Sequence, residues 1–393
     1  MLRFSSASVL RWCLASLPLL LASCVDSYLP DVANAPTSYL VVDGAINGNG
    51  VTRIKLSRSV NVSSSAVPAV EKGAKIAIVD NTGLRYNLTE RTAGFYLSDS
   101  LQLNPSRQYQ LRFTTSTNIA YASDLVPLKV TPPIDKLGFR VANDQVQLLV
   151  DTHDATGQSR FFRWRFTETW EFHSAFESFL EYDSVSQTLS SRFHHYYTCW
   201  RTEQASSVRQ GSTTQLSQPA LTDFAILNYS NKAERFAIRY SALVSQYAET
   251  AEEYNYYELL RKNTEAVGGV NDPLPVQLTG NVHRLDNASE PVLGYVGAHT
   301  VQQKRMFINR QDLPLPATWV FDSAYPTCSL GIELFNPPTG KPIAYPYTRD
   351  YNTRDHIPVD FYYDNGRLLG YVGSTRECVD CRARGSLTKP SFW

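Results

Sequence analysis

The chain has 393 residues, of which 37 are basic and 37 acidic, so its formal net charge is zero. No basic patch or tail is present, which argues against nucleic acid and anionic lipid head groups as binding partners. The length corresponds to two domains, or three, and is ample for a buried core.

The first element is a lipoprotein signal peptide, residues 1–23. Arg3 and Arg11 supply its positive region, and the apolar run that follows is too short to span a bilayer. Leu21-Ala22-Ser23 before a cysteine is the signature of a bacterial lipoprotein, in which Cys24 is lipidated and becomes the first mature residue. We therefore expect a lipid anchor at Cys24. An ordinary secretory peptide with a cysteine near its cleavage site is the alternative.

The residues after the lipidated cysteine indicate where the protein lies. In some lipoproteins an acid directly after the lipidated cysteine holds the protein at the inner membrane. Val25 occupies that position here, so we expect the outer membrane. Asp26 and Asp31 resemble the acidic export signals of some lipoproteins, which favours surface exposure over a periplasm-facing position. Residues 24–37 are small, polar and contain prolines, as expected for a tether.

Residues 38–131 are predicted to form a β-sandwich of immunoglobulin or transthyretin type. About seven short strands with turn signals between them favour this architecture. Residues 52–58 alternate Ile54 and Leu56 with charged neighbours, the period-2 pattern of a half-buried strand.

Thr131-Pro132-Pro133 marks a domain boundary, and residues 134–393 are predicted to form a second β-sandwich-like domain. Residues 173–233 break the strand pattern and are predicted to be an irregular insertion between two core strands. One amphipathic helix is predicted over residues 250–266, because Thr250-Ala-Glu-Glu253 forms a capping box before an aromatic stripe. The predicted fold class is mainly β.

One carboxylate of the second domain is placed among apolar side chains. In the strand 161–172 a single face carries an apolar row: Phe162, Trp164, Phe166, Trp170 and Phe172. Glu168 falls in that row, and an unpaired buried charge costs several kcal/mol. The first interpretation of Glu168 is a structural ion pair with an arginine. A ligand-binding acid in an aromatic pocket and a bulge that turns the side chain outward are the alternatives.

An aromatic binding surface is a second candidate site. Its residues would be Trp164, Trp170, Tyr197 and Trp200, which could form a platform for a sugar or peptide, although β-sandwich cores use the same residue types. The adjacent His194 and His195 would point to opposite faces of a strand, so they make a poor chelating pair.

The cysteines predict disulfides. Cys13 leaves with the signal peptide and Cys24 takes the lipid. Four remain: Cys199, Cys328, Cys378 and Cys381. An even number in an exported chain indicates two disulfides, and we expect Cys378 and Cys381 to tie the C-terminal segment to the body, one through Cys328 and the other through Cys199. A thiol redox site at the CxxC spacing and a four-cysteine zinc site are less favoured.

No motif of a known catalytic site is present. The chain lacks HExxH, GxSxG, P-loop and GxGxxG motifs, and its seven histidines have no ligand spacing. We therefore expect a non-enzymatic protein without metal or cofactor. A carboxylate-dependent hydrolase using an acid such as Glu168 is the less favoured alternative.

Short motifs occur in a characteristic order along nearly the whole mature chain. After the lipobox they include Leu40-Val-Val-Asp-Gly44, Arg163-Trp-Arg-Phe-Thr-Glu-Thr-Trp170, Tyr240-Ser-Ala-Leu-Val-Ser-Gln-Tyr247, Val292-Leu-Gly-Tyr295, Cys378-Val-Asp-Cys-Arg382 and Lys389-Pro-Ser-Phe-Trp393. With these motifs the chain resembles the Bacteroidetes-type outer-membrane lipoproteins grouped as domain of unknown function 4249. Ser391 and Val296 are small departures, since an acid and an aromatic residue are usual there.

The resemblance implies a surface or periplasm-facing lipoprotein that often accompanies a TonB-dependent outer-membrane receptor. It carries over no catalytic residue and names no ligand. We expect a non-enzymatic accessory protein that contacts a TonB-dependent barrel through residues 173–233 and helps to capture or pass a nutrient. A stand-alone carbohydrate- or peptide-binding module is the alternative.

Overall fold

The computed structural model describes residues 38–60, 67–183, 185–186, 188–205, 207–265, 278, 280–334 and 356–393. The predicted signal peptide, Cys24 and the tether lie outside the described residues. Within these ranges, no helix combines the length and the apolar character that crossing a membrane would need.

The described part of residues 38–131 contains eight short strands. They are β1 (Leu40–Asn47), β2 (Val51–Arg58), β3 (Lys75–Asp80), β4 (Arg85–Thr92), β5 (Phe95–Ser100), β6 (Gln108–Thr114), β7 (Ala120–Ser123) and β8 (Val126–Pro127).

The next part of the chain adds longer strands and one helix. They are β9 (Ile134–Ala142), β10 (Gln145–His153), β11 (Phe161–His173), β12 (Leu180–Asp183), β13 (Thr188–Ser191), β14 (Thr198–Gln204), β15 (Arg209–Ser212), β16 (Ala220–Ser230), β17 (Arg239–Glu249) and α1 (Ala251–Glu265).

The remaining elements are mostly short. They are β18 (Val282–Arg284), β19 (Val292–Leu293), β20 (Ala298–His299), β21 (Val301–Asn309), β22 (Gly331–Leu334), β23 (His356–Asp364), β24 (Arg367–Thr375) and α2 (Arg376–Val379). Single 3₁₀ turns occur at Glu234–Phe236, Arg310–Asp312 and Cys381–Ala383.

The first sandwich is built on the alternation seen in the sequence. Its strands run in the order β18-β7-β6-β3-β4-β5-β2-β1-β19, with β8 on β6 and β20 on β1. In β2 the side chains of Ile54 and Leu56 are buried, whereas Arg53 and Lys55 point to the other face. The core therefore lies on the face of Ile54, and the cations lie on the outer face.

Three strands of this sandwich come from late in the chain. Both β19 and β20 pair in parallel with β1, and β18 pairs with β7. Residues 282–299, which the sequence placed in the domain 134–393, thus complete the first sandwich. They cover β1, which would otherwise be an open edge. Leu40 of β1 pairs with Val292 of β19, about 250 residues later in the chain. Such a distant pairing leaves no local signal in the sequence.

The second sandwich confirms the mainly β prediction. A sheet in the order β16-β10-β9 faces a sheet in the order β14-β11-β17-β21, with β15 on β11. The two share one core that includes Val146, Phe162, Trp164 and Tyr240. The β9–β10 hairpin turns at Asn143 and Asp144, whose φ angles of 51° and 58° suit a type I′ turn.

Residues 173–233 lie between the paired strands β11 and β17, as predicted, but they are more regular than the sequence suggested. Their described part contains a β12–β13 hairpin, and β14 pairs with β11 while β16 pairs with β10. The strands are rich in serine and threonine, so apolar alternation is weak there although backbone pairing is extensive.

Helix α1 begins with half of the predicted capping box. The backbone amide of Glu253 donates to the hydroxyl of Thr250 at 3.2 Å. The carboxylate of Glu253 does not return to the Thr250 amide; it points into the protein and contacts Arg163 and His299. Because Glu253 is only 1% exposed, this helix start is part of the buried structure between the two sandwiches.

Candidate functional site

A cleft of about 780 Å³ lies between the two sandwiches. One wall is the outer face of β1, β2 and β5, and the other is the outer face of β11, β17 and β21. Both walls are paired strands, so backbone hydrogen bonds fix their positions. The loop residues Ala205, Ser207 and Val208 and Tyr257 of α1 also line the cleft.

The first wall carries two cations on an aromatic ring. The Arg53 guanidinium lies 4.6 Å from the centre of the Phe95 ring, and the Lys55 ammonium lies 5.5 Å from it. The three residues are neighbours because β2 pairs with β5 in the register Lys55 to Phe95. The ring therefore holds both cations at the cleft.

The second wall contributes Arg165, which reaches across the cleft. Its Nη2 lies 3.7 Å from Oδ1 of Asp43 on the first wall. The two side chains are 52% and 61% exposed, so solvent screens the pair and its contribution to stability is small.

A buried ionic cluster forms the floor of the cleft. Arg163, 3% exposed, donates from Nε to Oε1 of Glu249 and from Nη2 to Oε1 of Glu253 at 3.0 Å. The Tyr257 ring lies 4.0 Å from the same guanidinium. His299 Nε2 lies 3.1 Å from Oε1 of Glu253.

The cluster joins the two sandwiches. His299 belongs to β20 of the first sandwich, Arg163 to β11 of the second, and Glu253 to α1. Burial raises the pKa of the Glu249 carboxyl. Burial would also raise the pKa of Glu253, but His299 and Arg163 outweigh that effect and lower it. Burial raises the pKa of Tyr257 to about 12, so its phenol stays neutral beside Arg163.

Glu168 lies away from the cleft, in the core of the second sandwich. Its Oε1 accepts from Arg235 at 2.8 Å and from the Tyr240 hydroxyl at 2.5 Å, and its Oε2 accepts from the Tyr229 hydroxyl at 2.8 Å. The ion pair with an arginine that the sequence predicted is therefore present. With 2% of its surface exposed and three donors bound, this carboxylate is a structural group.

The proposed aromatic binding surface is not formed. Trp164 is fully buried and Trp170 is 4% exposed, because the apolar row of β11 is the core of the second sandwich. Trp200, half-buried, pairs through its backbone with Ser386. Tyr197 stacks on His173 at 4.3 Å. The four residues therefore share no exposed face.

Both disulfides are present. Cys199 pairs with Cys381 and Cys328 with Cys378, in agreement with the predicted tie of the C-terminal segment to the body. The C-terminal Trp393 lies against the second sandwich, where its Nε1 donates to Glu171 of β11 at 3.2 Å. In the described ranges, no three His, Cys, Asp or Glu side chains form a group that could hold a metal ion.

The cleft residues were missed by the sequence analysis. A signal was available, because cations recur at spacing two in both walls, at Arg53 and Lys55 and at Arg163 and Arg165. The pattern showed an outward face on each strand. It did not show that the two outward faces oppose each other, which depends on the pairing of the late strands.

The chain was compared with known proteins. No curated protein matches it. One solved structure, titled as manganese lipoxygenase of Gaeumannomyces graminis with partial zonadhesin of Komagataella pastoris, is 11% identical, with a TM-score of 0.14 over 56% of this chain and 91% of that one. Another, the Yersinia pseudotuberculosis adhesin InvE, is 14% identical, with a TM-score of 0.13 over 54% of this chain and 55% of that one. Neither TM-score indicates a shared fold.

The family comparison is specific. The model described as domain of unknown function 4249 matches residues 25–305, which is more than half of the chain. The protein belongs to the domain of unknown function 4249 family.

Proposed function

We propose that this protein is a non-enzymatic lipoprotein of the outer membrane that captures a nutrient and passes it to a TonB-dependent receptor. The cleft between the two sandwiches is the observation that carries the proposal. Its volume of about 780 Å³ is in the range of small-molecule sites. Its walls hold charged and aromatic side chains on rigid strands, an arrangement suited to binding with little loss of entropy.

The lipid anchor at Cys24 and the tether give the proposed location. An anchored body on a tether of 24–37 would stay close to a membrane receptor and raise its effective concentration there. The proposal accordingly predicts a partner in the same membrane.

Exposed apolar side chains support residues 173–233 as the partner surface. Val185 is 92% exposed and Phe193 is 85% exposed. Deletion of the whole segment would remove β14 and β16, which pair with core strands, so point variants are the appropriate test.

The test is extraction of the lipidated protein from its native membrane in mild detergent, followed by mass spectrometry of what co-purifies. A TonB-dependent barrel in stoichiometric amount is expected. The Val185→Ser/Phe193→Ser variant is expected to lose the barrel, whereas the control Val320→Ser, at a site 77% exposed outside the segment, is expected to retain it.

Recovery of the wild-type protein without a barrel would contradict the accessory role. It would favour a stand-alone binding module. The purified soluble body would then be titrated with glycans and peptides.

A further inference from the structure

The charge of the cleft is unbalanced. Besides the floor, its charged lining residues are Arg53, Lys55 and Arg165 against the single carboxylate of Asp43. Glu249 and Glu253, which neutralise Arg163, do not line the cleft. The walls therefore present a net positive charge to whatever enters.

Two of these cations, Arg53 and Lys55, lack carboxylate partners among the described residues. Other arginines of the same sandwich have one, as Arg58 has Glu71 at 2.9 Å and Arg107 has Asp80 at 2.6 Å. Among the residues that the structure describes, neither Arg53 nor Lys55 has an ion-pair partner within 4 Å. Both are instead held over the Phe95 ring.

The one nearby carboxylate is directed elsewhere. Asp43 on β1 stands directly opposite Lys55 on β2 in the strand register. Its carboxylate nevertheless lies 3.7 Å from Arg165 on the opposite wall. The contact leaves Lys55 unneutralised and shows that an oxoanion in the cleft can reach the guanidinium of Arg165.

We propose that the cleft binds a small ligand with two or more oxoanion groups, held between Arg53 and Lys55 on one wall and Arg165 on the other. The ligand replaces Asp43 as the partner of Arg165. Arg53 and Lys55 cover the Phe95 ring, so the ring is not free to stack on a sugar. The cleft therefore favours a charged ligand over a neutral sugar. This inference rests on the proposed capture function and specifies its ligand class.

The test is calorimetric titration of the soluble body with citrate, inorganic pyrophosphate and neutral maltotriose. Citrate or pyrophosphate is expected to bind and maltotriose not to bind. The affinity is expected to fall about tenfold or more between 50 mM and 500 mM salt, because exposed charges attract less strongly at high ionic strength. The two anions distinguish a carboxylate ligand from a phosphate ligand. No binding of either would overturn the inference.

Matched variants locate the binding. Arg53→Gln/Lys55→Gln is expected to weaken anion binding about tenfold or more, and Asp43→Asn to strengthen it about threefold. The control Lys75→Gln/Arg85→Gln removes the same charge from β3 and β4, outside the cleft, and is expected to leave the affinity unchanged. An equal loss in both double variants would show a net-charge effect only and would overturn the proposal.

A failure of the anion-binding inference can be distinguished from a failure of the proposed capture function. A neutral ligand whose affinity is unchanged by Arg53→Gln/Lys55→Gln would remove the anion inference and leave nutrient capture in place. Anion binding at the cleft without a co-purifying barrel would remove the receptor partnership and leave this inference in place.

Discussion

Glu168 illustrates how a single buried charge constrains the chain. Its two oxygens bind one cation and two tyrosine hydroxyls in the core of the second sandwich. Burial and the Glu168 charge both raise the pKa of Tyr240, so its hydroxyl remains a proton donor to the carboxylate. The Glu168 carboxylate keeps its hydrogen bonds only while Arg235, Tyr229 and Tyr240 stay in place.

We predict that Glu168→Gln destabilises the protein without altering ligand binding. The substitution leaves the half-buried Arg235 with only the more distant carboxylate of Glu203, at 3.9 Å, which costs about 2–4 kcal/mol of unfolding free energy. Urea unfolding measures the loss. The control Glu258→Gln breaks an exposed helix pair with Lys262 and is expected to change the unfolding free energy by no more than about 0.5 kcal/mol. A stable variant with lost activity on any substrate would revive the hydrolase alternative.

Asp80, at the β3–β4 turn, contributes to stability in acid. Burial alone would raise the pKa of this carboxyl, but hydrogen bonds from Thr82, Arg107 and the Leu84 amide outweigh burial and lower its pKa from 3.8 to about 2. The folded state therefore holds the ionised form more strongly than the unfolded chain does.

The pH dependence has a definite sign. The stabilisation from Asp80 is nearly complete above about pH 5 and is lost progressively as the pH falls through 3.8 and then 2, because the unfolded chain takes up the proton first. Chemical unfolding at pH 5, 4, 3 and 2 is expected to show this decline. Asp80→Asn is expected to be less stable at pH 5 and to show a smaller decline. A decline equal to that of the wild type would contradict the assignment.

Arg163 is a buried arginine whose burial cannot be read from the local sequence pattern. Arg163 lies in the row of β11 that alternates with the apolar row, so the pattern predicts exposure. It is buried because Glu249 of β17 and Glu253 and Tyr257 of α1 contact its guanidinium, and these residues come more than 80 positions later in the chain. Local alternation reports which face a side chain takes, and the burial of that face depends on distant elements.

At the scale of elements, local signals were sufficient for most strands and for the helix start. Alternation predicted β2 and β11. The late strands β18 to β20 were not assigned to the first sandwich, because each has only two or three paired residues. Strands this short have too few positions to show the alternation of apolar and polar residues. The local sequence therefore does not indicate which strand they pair with.

The disulfide Cys328–Cys378 is expected to stabilise the sheet of β22, β24 and β23. It closes a loop of 50 residues, worth about 4 kcal/mol in the chain-entropy model. Cys378 also packs with Val359 and Val379, so the bridge lies against a small apolar cluster.

We therefore predict that Cys328→Ser/Cys378→Ser opens this sheet locally. Limited proteolysis is expected to cut the variant within residues 356–375 at least about tenfold faster than the wild type, since local opening exposes the backbone. Intact-mass analysis with a thiol label must find no free thiol in either protein, which confirms that Cys199–Cys381 persists. Equal cleavage rates would show that apolar packing alone holds the sheet.

At the scale of the whole molecule, the two sandwiches are joined by buried polar groups. On β17 of the second sandwich, the Ala248 amide donates to the Thr131 hydroxyl and the Gln246 side-chain amide donates to the Pro132 carbonyl, where the chain passes from one sandwich to the other. Arg163, Glu253 and His299 add the buried cluster. Loss of either sandwich would leave these groups unpaired, so we expect the two to unfold together.

Gly294 provides the means to test this coupling. It follows β19 with a φ of +119°, and a Cβ there would lie 2.0 Å from the carbonyl oxygen of Val42 on β1. Gly294→Ala is expected to cost about 2–4 kcal/mol through backbone strain and overpacking. The control Gly138→Ala, whose Cβ would meet only the Lys136 Cε at 3.9 Å, is expected to be neutral.

The two sandwiches can be followed separately in one urea titration. Apart from Trp12, all the tryptophans lie beyond residue 163, so tryptophan fluorescence reports on the second sandwich. Hydrogen exchange of β3 and β6 peptides reports on the first. Coupled sandwiches give coincident transitions, and Gly294→Ala moves both midpoints by the same amount because sandwiches that unfold together share one free energy of unfolding. A shift confined to the β3 and β6 peptides would show that the first sandwich unfolds on its own and that the walls of the cleft can separate.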